Sequence, residues 1–295
     1  MAGSEVVEDF KENHALSLSQ SYVQNISFVV GRLAEKKENK IVYTLPKLEE
    51  EVAIVAIGMD GTCSFVGNSG WRETMVGTIS LYNKNGDRLH TIYIAQAPEY
   101  GKEQFKIRLT KEIKEIQKIV PSSAKYIGLA DGAIDNWSFL KSFVEVEIVD
   151  FYHATEYLAK ASKASNLKDK DKQKEWLDSA CHVLKNNQYS ALAILEEMRE
   201  LQKKRNLSKQ VKKDLESAIT YFTNHNKQMN YSEAIANNLP IGSGVTESAC
   251  KVIVKQRLCL SGARWGHGGA NNMLRLRAIN STNGRWKQFW DELVG

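Results

Sequence analysis

Val52-Ala-Ile-Val-Ala-Ile-Gly-Met-Asp60 is a nearly unbroken apolar run that ends in an acidic residue. Runs of this kind are typical of strands that are buried on both faces of a sheet. Two further strands are predicted at 71–82 and 88–95, and the segment Asn83-Lys-Asn-Gly-Asp87 between them favours a hairpin. The middle of the chain is therefore predicted to contain a sheet, with Asp60 at the end of its first strand.

The residues after this hairpin alternate between helical and strand patterns. A helix is predicted over 101–119, followed by a strand at 124–130, a short helix at 134–143 and a strand at 145–150. The predicted order is three strands, helix, strand, helix, strand. This is the order of a ribonuclease-H-like α/β fold, a mixed sheet flanked by helices in which the first and fourth strands lie side by side.

The N-terminal part is predicted to form two helices separated by a short turn. The first covers Glu5–His14, the break is Leu16-Ser-Leu-Ser, and the second covers Gln20–Glu38 with Ser19 as its N-cap. This pattern resembles a helix-turn-helix that reads DNA, and a helical hairpin without a partner is the alternative. Ser21 and Gln24 are the candidate DNA contacts. The apolar stripe of the second helix comprises Tyr22, Ile26, Val29, Val30 and Leu33.

The chain therefore divides into four predicted parts. These are a helix-turn-helix-like segment (1–45), the first part of the core (50–153), an all-helical insertion (154–238) and a segment that completes the core (239–295). The last segment is predicted to hold a helix over 244–260, a glycine-rich break, a basic helix over 270–279 and a terminal helix. The terminal helix is expected to pack in the core through Trp286, Phe289, Trp290 and Leu293.

Three acidic residues are the candidate catalytic groups. Asp60 and Asp131 each close an apolar run, and Glu247 falls just inside the predicted helix at 244–260. Carboxylates on two strand ends and one helix can hold two divalent cations, which activate an attacking oxygen and stabilise a leaving one in phosphodiester chemistry. Mg²⁺ suits such ligands because it prefers oxygen. The alternatives are an Asp-Gly turn for each aspartate and a simple charge in the first helical turn for Glu247.

Basic and aromatic residues near these acids are candidate DNA contacts. Lys251 and Lys255 fall on the face of the Glu247 helix, where they could hold phosphates, or they form a solvated basic face. His153 lies three residues after Asp150, and this pair could contact DNA. The favoured interpretation is that the pair holds the sheet edge in place by hydrogen bonding. The remaining candidates lie in or before the glycine-rich break: Arg257, Arg264 and Trp265. If Trp265 is exposed, it could stack on an unpaired base; the alternative is that it is buried against the preceding helix.

Charge and cysteine usage constrain the setting of the protein. The net charge is +5, and residues 1–154 are net acidic while 155–295 are net basic, which favours contact between the second half and a polyanion. No apolar run approaches the length needed to span a bilayer, and no signal peptide is recognised. The four cysteines are widely spaced, so a reduced cytoplasmic setting is expected.

The chain resembles bacterial insertion-sequence transposases of the ISKra group, which belong to the DDE class and have a ribonuclease-H-like catalytic core. The similar runs cover nearly the whole chain from about residue 15. They are Ile57-Gly-Met-Asp-Gly-Thr62, Gly77-Thr-Ile-Ser-Leu-Tyr82, Leu129-Ala-Asp-Gly-Ala133, Asp150-Phe-Tyr-His-Ala-Thr-Glu-Tyr157, Ile241-Gly-Ser-Gly-Val-Thr-Glu-Ser-Ala-Cys-Lys251 and Lys255-Gln-Arg-Leu-Cys-Leu-Ser-Gly262.

This resemblance implies DNA transposition with two Mg²⁺ or Mn²⁺ ions. Asp60 and Asp131 match the two catalytic aspartates of the family, and Glu247 matches the closing glutamate. The implied partners are double-stranded DNA at the element ends and at the target, together with further copies of the chain in a homodimer or larger assembly. Family members commonly carry more chain before the helix-turn-helix-like part, so a truncated, catalytically silent DNA-binding remnant is the alternative. A structure-specific nuclease without a joining step is a third possibility.

Overall fold

A five-stranded mixed sheet forms the centre of the protein in the computed structural model, which describes residues 3–67, 70–204 and 206–294. The strand order is β3-β2-β1-β4-β5, with antiparallel β1–β2 and β2–β3 pairs and parallel β1–β4 and β4–β5 pairs. The predicted α/β architecture, a mixed sheet flanked by helices, is confirmed. The strands are β1 (Ile54–Phe65), β2 (Trp71–Tyr82), β3 (Arg88–Gln96), β4 (Lys125–Ala130) and β5 (Val146–Val149).

Helices surround this sheet and also form the N-terminal segment and the insertion. None of the helices in the described ranges is long and apolar enough to cross a membrane. Their bounds are α1 (Gly3–His14), α2 (Gln20–Lys37), α3 (Glu103–Ile119), α4 (Ile134–Leu140), α5 (Phe151–Ser165), α6 (Lys170–Asn186), α7 (Ser190–Gln202), α8 (Lys209–His225), α9 (Tyr231–Ala236), α10 (Gly244–Ala249), α11 (Gln256–Leu258), α12 (His267–Ser281) and α13 (Arg285–Val294).

β1 continues beyond the apolar run, so the prediction that Asp60 ends this strand is wrong. Asp60 is paired with Val76 of β2, and the antiparallel ladder extends to Phe65. The sequence Gly61-Thr-Cys-Ser alternates in burial because this part of β1 pairs with β2 alone, whereas the apolar part also pairs with β4. The end of the apolar run therefore marks the end of the parallel neighbour and not the end of β1.

The two faces of the sheet are covered by different helices. Successive strand residues point to opposite faces. On one face α3 packs close to Gly77 through Phe105 and Leu109, as its predicted apolar stripe requires. On the other face Gly58 lies against Thr246 of α10. The face of β1 that carries Gly58 and Asp60 is thus the face on which α10 lies.

The N-terminal helices have the predicted bounds to within two residues, but their packing differs from expectation. The Ser19 hydroxyl accepts a hydrogen bond from the Tyr22 amide at 3.2 Å and caps α2 as predicted. The buried residues of α2 are Gly31 and Ala34, and Gly31 lies so close to Asn272 of α12 that an added Cβ would be 2.6 Å from its Cβ. The small side chains let the two helices approach closely. The predicted stripe is mostly exposed: Tyr22, Ile26, Val29 and Leu33.

The second half of the chain folds much as predicted. Described residues between 154 and 238 contain helices and connections without a strand. The helix predicted at 244–260 consists of α10, a π-helical segment at Cys250–Lys255, and α11. In α13, Phe289 is fully buried and Trp290 and Leu293 pack against the same cluster, whereas Trp286 is 37% exposed.

Candidate active-site cleft

Asp60 and Asp131 lie side by side at one end of the parallel part of the sheet. The last β1–β4 pair is Gly58 with Leu129, and each aspartate is two residues beyond its member of that pair. β4 ends at Ala130, so Asp131 is the first residue after the strand. Strand register alone therefore brings together two carboxylates that are far apart in sequence.

Asp131 is fixed by three hydrogen bonds from neighbouring groups. Its Oδ1 accepts from the Ala133 amide at 3.0 Å and from Asn136 Nδ2 at 3.4 Å. Its backbone carbonyl accepts from the Tyr221 hydroxyl at 2.8 Å. The bond to Ala133 is the local turn that the sequence offered as an alternative role. Asp131 thus forms a turn and also lies beside Asp60 in the middle of β1, and the two roles are compatible.

Asp60 is half-buried, and its carboxyl group lies among other acids. Its Oδ1 accepts from the Gly61 amide at 2.7 Å, and Cys250 Sγ lies 3.5 Å from Oδ2. Burial raises the pKa of the Asp60 carboxyl above its usual value, the Gly61 hydrogen bond opposes this shift, and the charges of Asp131 and Glu247 raise the pKa further. Asp131 and Glu247 are therefore both near enough to Asp60 for their charges to act on it.

Glu247 lies on the face of the sheet that carries Asp60. The preceding residue, Thr246, anchors α10 to β2 through a 2.7 Å hydrogen bond between its Oγ1 and Thr78 Oγ1. The Glu247 side chain is exposed, and its Oε1 accepts from Ser243 Oγ at 3.0 Å. A shared site requires Glu247 and the aspartates to lie on the same side of the sheet, and Glu247 does lie on the side of Asp60.

An open cleft of about 890 Å³ lies between β1 and the helix that bears Glu247. Its lining includes two predicted catalytic acids and two predicted phosphate contacts, so acidic and basic side chains face the same space. Lys251 and Lys255 are exposed there, in agreement with their predicted common face. The lining residues are Asp60, Gly61, Thr62, Gly244, Glu247, Ser248, Cys250, Lys251, Lys255 and Gln256.

The three predicted catalytic acids are suitable ligands for Mg²⁺ by their chemistry, but their side chains are not close enough together to bind one ion. Asp60, Asp131 and Glu247 offer hard carboxylate oxygens, and the charges of the latter two raise the pKa of Asp60, which a cation between them would counteract. Within the described parts of the chain, however, no three His, Cys, Asp or Glu side chains are close enough to hold a metal ion together. The exposed Glu247 side chain would have to give up its hydrogen bond from Ser243 Oγ to reach a metal beside Asp60.

Two further aspartates near the site, Asp135 and Asp150, have structural partners. Asp135 lies in the first turn of α4 and does not cap it, because the N-cap position is Ala133. It binds Lys106 at 2.8 Å, and this hydrogen bond is the main reason that its pKa is lowered. Asp150 is 1% exposed and caps α5 by accepting from the His153 amide at 2.6 Å. Its other oxygen accepts from the Ser243 amide, so the favoured structural role of Asp150 is confirmed.

His153, a predicted DNA contact, lies beside this cap. Its ring centroid is 5.5 Å from that of Tyr157 and 5.7 Å from that of Tyr221. Its Nδ1 is 3.4 Å from Glu156 Oε2, and about a third of the side chain is exposed. Contact with DNA from this position stays a prediction.

The other predicted DNA contacts lie mostly around a second groove of about 650 Å³. Gln24 of α2 lines it opposite Arg257, Arg264 and Trp265, whereas Ser21 is exposed and lies 3.1 Å from Ser19 through their hydroxyls. Trp265 is half-buried against the apolar cluster under α12, with the Arg257 guanidinium 5.0 Å above its ring. The expectation of a freely exposed indole is thus met only in part. Arg257 follows Lys255 and Gln256 of the cleft directly, so groove and cleft are neighbours.

Several residues of the site were not predicted from sequence. Tyr221 belongs to the insertion, 90 residues after the Asp131 that it contacts, and no local pattern links the two. Thr78 and Thr246 meet only because α10 crosses β2. Cys250 follows Glu247 by three residues, so helical spacing alone could have placed it beside the site.

Comparison with known proteins returns no matching family model and no similar curated protein.

Proposed function

We propose that this protein is a DDE-type transposase that cuts and joins DNA strands with the help of divalent metal ions. The observation that carries the proposal is the placement of three acids around the ends of the paired part of β1 and β4: Asp60 and Asp131 each lie two residues beyond the last β1–β4 pair, and Glu247 lines a cleft together with Asp60. The sheet order, with β1 between an antiparallel β2 and a parallel β4, supports a ribonuclease-H-like core.

In this proposal the three carboxylates hold two Mg²⁺ or Mn²⁺ ions. Bound metal would supply an activated water and stabilise the leaving oxygen of the scissile phosphodiester. Asp60 and Asp131 are held by backbone and side-chain hydrogen bonds, so they form the fixed part of the site. Glu247 would exchange its Ser243 hydroxyl for the metal. Lys251 and Lys255, across the cleft, would bind the flanking phosphates.

Strand joining needs no covalent protein–DNA intermediate. The 3′-hydroxyl released by cleavage would attack a target phosphodiester in the same cleft, where the new P–O bond replaces the bond to the 3′-oxygen of the target strand, which leaves as a hydroxyl. No serine or tyrosine nucleophile is required. The second groove, with Arg257, Arg264 and Trp265, would accept the DNA that continues beyond the cleft, with an unpaired base against the indole. Because two DNA ends must meet, a homodimer or larger assembly is part of the proposal.

Carboxylate variants test the catalytic assignment. We expect Asp60→Asn, Asp131→Asn and Glu247→Gln each to lower Mg²⁺-dependent cleavage of element-end DNA by at least about a thousandfold, because each would remove a metal ligand. The measurement is cleavage and strand transfer of labelled DNA in Mg²⁺ and Mn²⁺. Asp135→Asn is the matched control, since this acid lies four residues from Asp131 but binds Lys106, and it should keep nearly full activity. Undiminished cleavage by any of the three variants would refute the assignment.

A catalytically silent DNA-binding remnant is the second candidate function. It is favoured by the lack, within the described residues, of a carboxylate cluster already spaced for a metal. The same assay separates the two functions: a wild-type protein that binds element-end DNA but yields neither nicked nor joined product in Mn²⁺ is the remnant.

A further inference from the structure

The helical insertion contacts the candidate active site through Tyr221. Tyr221, near the end of α8, donates its hydroxyl to the backbone carbonyl of Asp131 at 2.8 Å. The tyrosine is only 7% exposed. The bond therefore connects a buried residue of the insertion directly to a predicted catalytic residue.

The hydrogen bond from Tyr221 lies directly after the last sheet hydrogen bond of β4. The carbonyl of Ala130 accepts from the Asp150 amide at 2.9 Å, which is the last bond between β4 and the chain that follows β5. The next carbonyl along the chain is that of Asp131, and it accepts from Tyr221. The insertion thus holds the chain in place for one residue beyond the end of β4.

The Tyr221 ring packs against two other rings. The Tyr157 ring of α5 stacks on it with centroids 3.9 Å apart and planes 8° apart. The His225 ring lies 4.8 Å away, and Lys160 Nζ lies 4.0 Å from the centroid of Tyr157. Because the ring cannot swing freely, α5 and α8 determine where its hydroxyl points.

The turn after Asp131 is fitted closely to this ring. Gly132 has a φ of +105°, which strongly favours glycine. A Cβ at Gly132 would lie 3.0 Å from Tyr221 Cε2 and 3.1 Å from His225 Nε2. The turn therefore has both a backbone conformation and a surface that match the insertion.

We infer that Tyr221 is a positioning residue through which the helical insertion sets the position of Asp131 in the metal site. The inference rests on the proposed function for its link to metal binding, whereas the fixation of the Asp131 turn stands on the geometry. In this bond the phenol O–H is the donor, and the backbone carbonyl of Asp131 can only accept.

Tyr221→Phe is the direct test, because it removes the hydroxyl and keeps the stacked ring. Tyr231→Phe is a matched control. The Tyr231 hydroxyl also joins the insertion to the end of a core strand, by a 2.9 Å bond to the Val149 carbonyl, and its side chain is fully buried. Both variants lose one phenol–carbonyl hydrogen bond, so a general loss of stability should affect them alike.

Two readouts follow the site independently of catalysis. Amide hydrogen exchange reports the turn, where the Ala133 and Asn136 amides are hydrogen-bonded. We expect exchange over 131–137 to accelerate at least about fivefold in Tyr221→Phe and to stay unchanged in Tyr231→Phe. Mn²⁺ titration followed by electron paramagnetic resonance should show affinity about tenfold weaker in Tyr221→Phe alone, as for other groups that orient metal ligands.

The outcomes separate this inference from the proposed function. Unchanged exchange over 131–137 in Tyr221→Phe, or an equal change in both variants, overturns the inference. Unchanged Mn²⁺ affinity also overturns it as stated. If exchange and affinity change as expected while the wild-type protein yields no DNA product, the positioning role stands and the transposase proposal fails.

Discussion

Gly58 is the residue where the sheet and the Glu247 helix approach most closely. Its Cα hydrogen atoms face Thr246 and Thr78, and an added Cβ would overlap the hydroxyl oxygens of both threonines. The two hydroxyls share a hydrogen bond of 2.7 Å between buried side chains. A glycine two residues before Asp60 thus allows α10 to lie directly above the predicted catalytic site.

Gly58→Ala should displace α10 and lower both stability and activity. We expect the free energy of unfolding to fall by about 2 kcal/mol because the site has no room for a methyl group. Denaturant unfolding measures this change. Gly268→Ala is the matched control, since it lies in α12 with no heavy atom within 4 Å of an added Cβ, and it should be neutral or slightly stabilising. Equal stability of Gly58→Ala and the wild type would contradict the close approach of α10.

The residues of the site differ in how far sequence could identify them. Asp60 and Asp131 follow apolar runs, and parallel strands place such residues at one edge, so their convergence could be predicted. Glu247 could be placed on a helix, but its side of the sheet depends on Gly58 and Thr246, which no periodicity reveals. Tyr221 could not be predicted because its contact depends on the packing of the insertion.

At the scale of elements, apolar periodicity predicted where helices begin and end better than it predicted which helix face is buried. The stripe of α3 is buried as expected, because α3 covers an apolar sheet face. In α2 the expected stripe is exposed except for Val30, and the buried residues are Gly31 and Ala34. Close packing against α12 selects small residues, and hydrophobicity alone does not indicate such a contact. The same limit applies to β1, where pairing with β2 outlasts the apolar run.

The helix from α10 to α11 combines continuity with a local irregularity. It covers most of the predicted range, but the segment Cys250–Lys255 is π-helical, and π-helical turns often occur at functional sites. Buried Cys250 faces Asp60, while Lys251 and Lys255 face the cleft from the same segment. This helix thus brings Glu247, the Cys250 thiol and two lysines to the cleft beside Asp60.

At the scale of the whole molecule, a buried ion cluster links the N-terminal segment to the core. Glu38, just after α2, binds Arg275 of α12 at 2.6 Å and Arg108 of α3 at 3.3 Å. Glu38 and Arg275 are both less than 10% exposed. The charges are therefore poorly hydrated, and removing one partner leaves the others uncompensated.

Glu38→Gln should destabilise the whole protein. We expect the free energy of unfolding to fall by about 3 kcal/mol, because the buried Arg275 and the partly buried Arg108 would lose their shared carboxylate. Thermal or denaturant unfolding provides the measurement. Glu12→Gln, on an exposed position of α1, should change stability by less than about 0.5 kcal/mol. If the two variants are equally stable, the cluster does not hold the N-terminal segment to the core.

The central claim is that Asp60, Asp131 and Glu247 together bind the divalent ions that drive cleavage and joining of DNA. A crystal structure of the protein with Mn²⁺ and DNA, examined by anomalous scattering, tests it most directly. The account predicts manganese bonded to carboxylate oxygens of all three residues. Manganese that is bound elsewhere on the protein, or bound without Glu247, would contradict it.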